Sequence, residues 1–342
     1  MKSLATVLLA FMVKFFVVAL GRRSVAVSAI AFAASIWSVP ALTVTLLVPQ
    51  GTGRRRRITV ADDKAAHPLR VAILDYEPIA LTEGYIFECQ RLLEEAGIRP
   101  FYAPKSLMEL GMDARRVARL VAKTEADAWI VCSGSREVLE WFAAQPVPTF
   151  ALFGGREGLP LAGVGPDKLP ALRAATRALI ALDHRRIVVL LARRDWHAGR
   201  PDRYELGFFD ELAAHGIAPG PFNLPEWDDS REGFHQQLDE LYRLTPPTAL
   251  ILDQASLFAA AQQHLAQRGL LVPQHVSLVC TDPDPTFAWC QPTIAHIRWD
   301  SRPVVRRIVR WAANVSRGKD DRRQSFTQAE FVPGGTIGPV KG

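Results

Sequence analysis

Cysteine is scarce. The 342 residues carry four, at positions 89, 132, 280 and 290, with no C-x-x-C pair and no Cys/His spacing that would hold zinc. That excludes a disulfide framework, and scattered thiols of this kind fit a reducing compartment. Surplus charge is also missing from most of the chain. Residues 1–68 carry nine Lys and Arg against two Asp, a net of +7, whereas the remainder carries 32 against 33, a net of −1. The body is therefore no basic nucleic-acid binder. Phosphate loops are absent: there is no Walker motif and no G-x-G-x-x-G after a strand, and Gly163-x-Gly165 runs into Pro166 without a third glycine. His184 lies in a basic turn and reads as a helix-end cap. His197 and His235 have no Ser or Cys nucleophile at a suggestive spacing. Asp282 and Asp284 could hold a metal, but the alternating Pro283 and Pro285 read as a rigid turn. The expectation is a chain with no catalytic residue, metal or cofactor.

What is present falls into two unlike parts. Residues 4–20 are apolar except Thr6 and Lys14, and residues 24–53 contain no charged residue. Such runs are long enough to span a bilayer, and a basic start before a short apolar run also suits an export signal. Membrane attachment through residues 4–49 is one reading. A second is a degenerate DNA-binding head. In it, Ala41–Val48 would be a last helix and Gly51-Thr52-Gly53 a wing tipped by Arg54, Arg55, Arg56 and Arg57, which would lie on phosphates. A third is a misplaced start, because residues 1–40 supply no polar recognition helix. A polar linker over 61–68 closes this segment.

From residue 69 the pattern changes to strands alternating with helices. Leu69–Leu74, Ala128–Val131, Pro148–Phe153, Arg186–192, Thr248–Leu252, Val276–Thr281 and 294–298 read as short buried strands, with another near 220–224 and a last one over 329–333. Helices are expected over 81–96, 112–124, 135–144, 168–182, 203–215, 231–243, 255–268 and 300–317. The glycines and proline of 163–166 read as a turn between lobes. This alternation implies an α/β fold of parallel, doubly wound sheets, with ligands bound at the carboxyl ends of the strands.

Several ordered pieces carry a family resemblance: Leu182-Asp183-His184-Arg185-Arg186-Ile187, Gly207-Phe208, Ala214-His215-Gly216-Ile217, Pro247-Thr248-Ala249-Leu250-Ile251, Gly269-Leu270-Leu271-Val272-Pro273, Val276-Ser277-Leu278-Val279, and Phe331-x-x-Gly334-Gly335-Thr336. Together they resemble the effector-binding region of LacI/GalR-type transcriptional regulators, which have the type I periplasmic binding protein-like fold. The resemblance covers about residues 69–340. It implies two lobes, 69–164 plus 294–325 and 165–293 plus 326–342, joined by a hinge of three crossings. It also implies a homodimer, a small-molecule effector such as a sugar or related metabolite, and DNA as partner through an N-terminal head. The protein would be cytoplasmic, and a repressor or an activator. The rival reading is a membrane-tethered or exported solute-binding protein.

The resemblance also nominates ligand contacts. Asp282 stands where the family has a sugar-contacting carboxylate. Gln254 stands where the family often has Asn or Asp. Arg203 lies four residues before Gly207, one more than in the family, and Tyr204 takes the matching place. Arg200 is a rival arginine in the preceding loop. Trp227 and Trp289 are candidate stacking aromatics. In the first lobe Asp75, Tyr76, Ser133 and Ser135 follow strand ends, and Phe153 replaces a usually polar residue. Each of these also has a plain reading as a turn, cap or core residue.

Overall fold

The computed structural model describes residues 68–79, 84–191 and 203–340, all within the unit Ala65–Gly342. The basic run Arg54–Arg57, the apolar segment 4–49 and Arg200 lie outside the described residues. Among the described residues, no helix is long and apolar enough to cross a membrane.

The first half builds β1 (Arg70–Leu74), α1 (Gly84–Glu95), β2 (Arg99–Tyr102), α2 (Ala114–Lys123), β3 (Ala128–Cys132), α3 (Arg136–Ala143), β4 (Thr149–Leu152) and β5 (Ala162–Asp167). The second builds α4 (Leu169–Ala181), β6 (Ile187–Leu190), α5 (Arg203–Ala214), α6 (Arg231–Leu244), β7 (Ala249–Leu252), α7 (Ala255–Gln267) and β8 (Ser277–Cys280). After these come β9 (Ala295–Trp299), α8 (Ser301–Val315) and β10 (Gln324–Val332). Strand order runs β2-β1-β3-β4-β5-β10-β9-β8-β7-β6.

Both faces of each lobe are covered, as the unbroken apolar strands require. Along β1, Val71 and Ile73 pack with Ile86 and Leu93 of α1 and Val304 and Ile308 of α8. Their neighbours Ala72 and Leu74 turn the other way, towards Val117 of α2 and Leu139 and Phe142 of α3. The second lobe repeats this. Ile187 and Val189 meet Leu179 of α4 and Phe208 of α5, and Val188 and Leu190 meet Phe234 of α6 and Phe258 of α7. Side chains start the helices: Asp113 accepts from Arg115 N and Arg116 N, Ser230 from Gly233 N, and Asp300 from Arg302 N.

The chain passes between lobes three times: after β5, after β9, and inside β10. Gln324–Gln328 pair in parallel with β5, while Ala329–Val332 pair antiparallel with β9. β9 pairs in parallel with β8 and so lies in the second sheet. The return to the first lobe comes at Trp299–Ser301, because only α8 packs there, and not at residue 294.

Three local expectations change. Residues 220–224 form a short 3-10 turn, Pro221–Asn223, in place of a strand. Arg99–Tyr102, which alternation did not mark, is an edge strand beside β1. Residues 163–166, expected as a turn, lie inside β5. Their glycines make room for a side chain: a Cβ on Gly163 would stand 2.7 Å from Arg156 Cδ and 2.8 Å from Ala151 O.

The Gly334-Gly335-Thr336 motif is a stitch. Thr336 is fully buried, and its Oγ1 donates to Leu278 O at 2.8 Å and accepts from Ala295 N at 2.9 Å. A Cβ on Gly334 would meet Ala295 N at 2.5 Å. At His184 the backbone N–H donates to Leu179 O at 3.2 Å and closes the end of α4, while the ring Nε2 pairs with Gly338 O at 2.9 Å and ties the Gly338 segment to the turn before β6. Asp183, where the resembling family has glycine, sits at φ 67°, the conformation that favours glycine. Cys89, Cys132 and Cys280 are buried and Cys290 is half-buried. Burial pushes the Cys89 and Cys280 thiols up to about 12.

Candidate functional site

A cavity of about 430 Å³ opens at the carboxyl ends of the strands of both lobes. Its size suits a small metabolite, and its position follows from the parallel sheets. A wider depression on the outer surface of α6, between Arg231 and Arg243, touches no carboxyl end of a strand.

Two turns at the cavity hold unusual backbone. Ser133 follows β3 at φ 53° and Phe153 follows β4 at φ 59°. A bulky residue in the left-handed region costs about 1–3 kcal/mol and persists only where its surroundings enforce it. The enforcing contact is the neighbouring turn: a Cβ on Gly154 would lie 2.3 Å from Gly134 O. The result places the Phe153 ring edge-on to Tyr85 and Trp299, with centroids 6.1 and 5.6 Å away, while Tyr85 and Trp299 stand 5.7 Å apart. Three aromatics from two lobes thus share one wall, a surface on which a sugar ring can stack.

Polar groups adjoin these rings. Asp282 Oδ1 accepts from Lys168 Nζ at 2.6 Å and from Trp299 Nε1 at 3.0 Å. Thr281 Oγ1 donates to Asp253 O at 2.7 Å. Burial alone would discharge Lys168, but Asp282 and Asp253 more than offset it and hold the ammonium above its ordinary value. Arg203 bridges the lobes, with Nη2 3.1 Å from Asp167 Oδ1 and Nη1 3.3 Å from Glu157 Oε1. Tyr204, next in sequence, donates to Pro166 O at 3.2 Å and also lines the cavity.

Of the residues nominated from sequence, the cavity brings together Ser133, Phe153, Arg203, Gln254 and Asp282. Others lie elsewhere. Ser135 is buried and caps α3, accepting from Val138 N at 3.2 Å. Trp227 donates from Nε1 to Leu191 O at 3.0 Å and packs on Phe234. Trp289 is 90% exposed, in a 3-10 turn outside the cavity. Asp75 and Tyr76 stand at another part of the cleft, where Tyr76 Oη donates to Asp229 Oδ2 at 2.6 Å across the lobes. Beside them burial, then Asp75 and Asp229, push the Glu77 carboxyl up.

Sequence reasoning did not select Tyr85, Arg156, Lys168, Asp253, Thr281 or Trp299, all of which line the cavity. Asp253, Thr281 and Trp299 each end or directly follow a strand legible in the sequence, so that rule applied to every strand would have found them, whereas Lys168 follows β5, which the sequence reading took for a turn. Tyr85 and Arg156 reach the cavity from a helix and a loop, and carry no such signal.

Residues 176–337 match the periplasmic binding protein-like domain family. The HTH-type transcriptional regulator RafR of Escherichia coli is 29% identical over 194 residues, 56% of this chain and 57% of RafR, so the matched stretch spans little more than half of that relative. The structure is similar to the Lac repressor dimer bound to operator and the anti-inducer ONPF, with TM-score 0.64, 19% identity, and coverage of 80% of this chain and 96% of that one. It is similar to the CelR–cellobiose complex, with TM-score 0.65, 20% identity and coverage of 79% and 86%. It also resembles a LacI family regulator from Enterococcus faecium with bound ribose, with TM-score 0.59, 16% identity and coverage of 80% and 100%. Residues 176–337 are thus similar to the periplasmic binding protein-like domain family, and the chain shares the two-lobed fold of these solved structures.

Proposed function

We propose that the protein is a ligand-responsive transcriptional regulator of the cytoplasm whose two-lobed region binds a sugar or related metabolite without catalysis. The observation that carries this reading is the strand-end cavity. It joins three aromatic rings to a cluster of carboxylates and draws its lining from two lobes joined by three crossings. A ligand in such a cavity favours the closed arrangement by its extra contacts there. The second oxygen of Asp282, Gln254 and Asp253 supply acceptors for hydroxyl groups, and Tyr85, Phe153 and Trp299 supply the stacking face. RafR is a named transcriptional regulator and CelR is described with cellobiose, which supports the same assignment. On this reading the chain acts as a homodimer and reaches DNA through residues 1–68, with Arg54–Arg57 on phosphates.

The test has two arms. Thermal shift of the full chain against monosaccharides, disaccharides and nucleobases should find at least one compound that raises Tm by mass action. A mobility-shift assay on DNA flanking the protein's own gene should give a complex that this compound weakens or strengthens. No thermal response to any compound, together with no DNA complex at low salt, refutes the proposal.

A further inference from the structure

Arg156 is a buried cation with no ion pair among the described residues. Its residue is 4% exposed, and it lies in the loop between β4 and β5. The other cations on the cavity each have a carboxylate: Lys168 with Asp282 at 2.6 Å, Arg203 with Asp167 at 3.1 Å, Arg136 with Glu140 at 2.7 Å. Arg156 forms no ion pair among the described residues. Its Nε is buried with no hydrogen-bond partner, and Nη2 reaches only Ser325 O, at 3.5 Å. The Phe326 ring lies 4.9 Å from Cζ, which steadies the charge but offers its N–H groups no acceptor.

The fold nevertheless makes room for this group. The stem lies on Gly163, and a Cβ on Gly165 would stand 3.2 Å from both terminal nitrogens. Burial pushes the Arg156 pKa down, as expected of a cation held away from water. An unpaired buried charge is destabilising, and five donors with one long contact leave the fork open for a planar anion.

We propose that Arg156 anchors an acidic group of the effector, so that the cavity takes a small polyol carrying a carboxylate or phosphate in preference to the neutral sugar. The polyol part lies against Asp282 and the aromatic wall; the acid completes the guanidinium. This rests on the reading of the cavity as the effector site.

The experiment uses the full chain and matched probes: common hexoses, the corresponding uronates, the corresponding 6-phosphates, and inorganic phosphate. Calorimetry and thermal shift are run at two salt concentrations. At least one acidic probe is expected to bind about tenfold or more tightly than its neutral parent, with the gap narrowing at high salt. Arg156→Gln should remove that gap, and Arg156→Lys should keep part of it. Wild-type protein alone decides the first point if the glutamine variant does not fold. Neutral hexoses binding as tightly as their acids would overturn the inference and leave the effector reading standing. So would an acid preference that survives in Arg156→Gln. Inorganic phosphate reproducing the whole effect would overturn the polyol assignment. No response to any probe counts against both readings.

Discussion

Thr336→Val is the sharpest stability test. The side chain is fully buried, and its hydroxyl serves two strands at once, donating to Leu278 O and accepting from Ala295 N at 2.8 and 2.9 Å. Valine has nearly the same shape, so packing is kept while both bonds go. Each buried polar group left unpaired costs about 1–3 kcal/mol. A carbonyl retains a second lone pair, so the expected loss is about 2–4 kcal/mol in total. At about 2–4 °C per kcal/mol for a unit of this size, Tm should fall by roughly 10 °C. Thr336→Ser keeps the hydroxyl and removes one methyl, and should cost about 1 kcal/mol. Thermal unfolding followed by circular dichroism measures both. A Thr336→Val change below about 0.5 kcal/mol, or a serine variant as destabilised as the valine one, would show that packing and not the hydroxyl holds the tail.

Further outcomes follow from other buried groups. Burial would raise the Asp321 carboxyl, but Asn314, Arg323 and Arg307 together hold it at about 2. Its stabilisation is therefore complete above the ordinary value of 3.8 and lost as pH falls from there towards 2. Asp321→Asn, which strands the buried Arg307, should cost about 3–5 kcal/mol and flatten the dependence of the urea midpoint between about pH 4 and 2. Burial pushes the His184 and His264 pKa values below 6.5. Their contribution is full above 6.5 and shrinks as pH falls through it, so urea midpoints should drop between pH 8 and 5.5, and less so in His184→Gln. Tyr76→Phe removes the cross-lobe bond to the exposed Asp229. Losing about 1 kcal/mol of closed-state stabilisation should weaken effector binding about fivefold by calorimetry, and unchanged affinity would mean the bond does not report closure.

The alternation of apolar strands with amphipathic helices was legible because inner strands such as Ile187–Leu190 and Ala249–Leu252 are buried on both faces and keep no polar residue. β2 escaped because an edge strand needs less apolar sequence, and Arg99 and Pro100 suit its open side. β5 escaped for a different reason. Gly163 and Gly165 obey the demands of Arg156, a partner only tertiary structure reveals. The cavity divides in the same way. Ser133, Gln254 and Asp282 could be placed by their position after strands. Trp227 and Trp289 were plausible by type alone, and type does not distinguish a ring laid on Phe234 or left in solvent from one facing a ligand.

β10 gives the molecule a built-in gauge. Its amides from 324 to 328 lie against one lobe's sheet and those from 329 to 332 against the other's. Hydrogen exchange along this single peptide therefore reads two separate opening equilibria, one per half, without any introduced label. A compound that merely stabilises one lobe would slow exchange in one half. A compound that fastens the lobes together would make the two halves protect and deprotect in step, and the difference is visible in one proteolytic fragment.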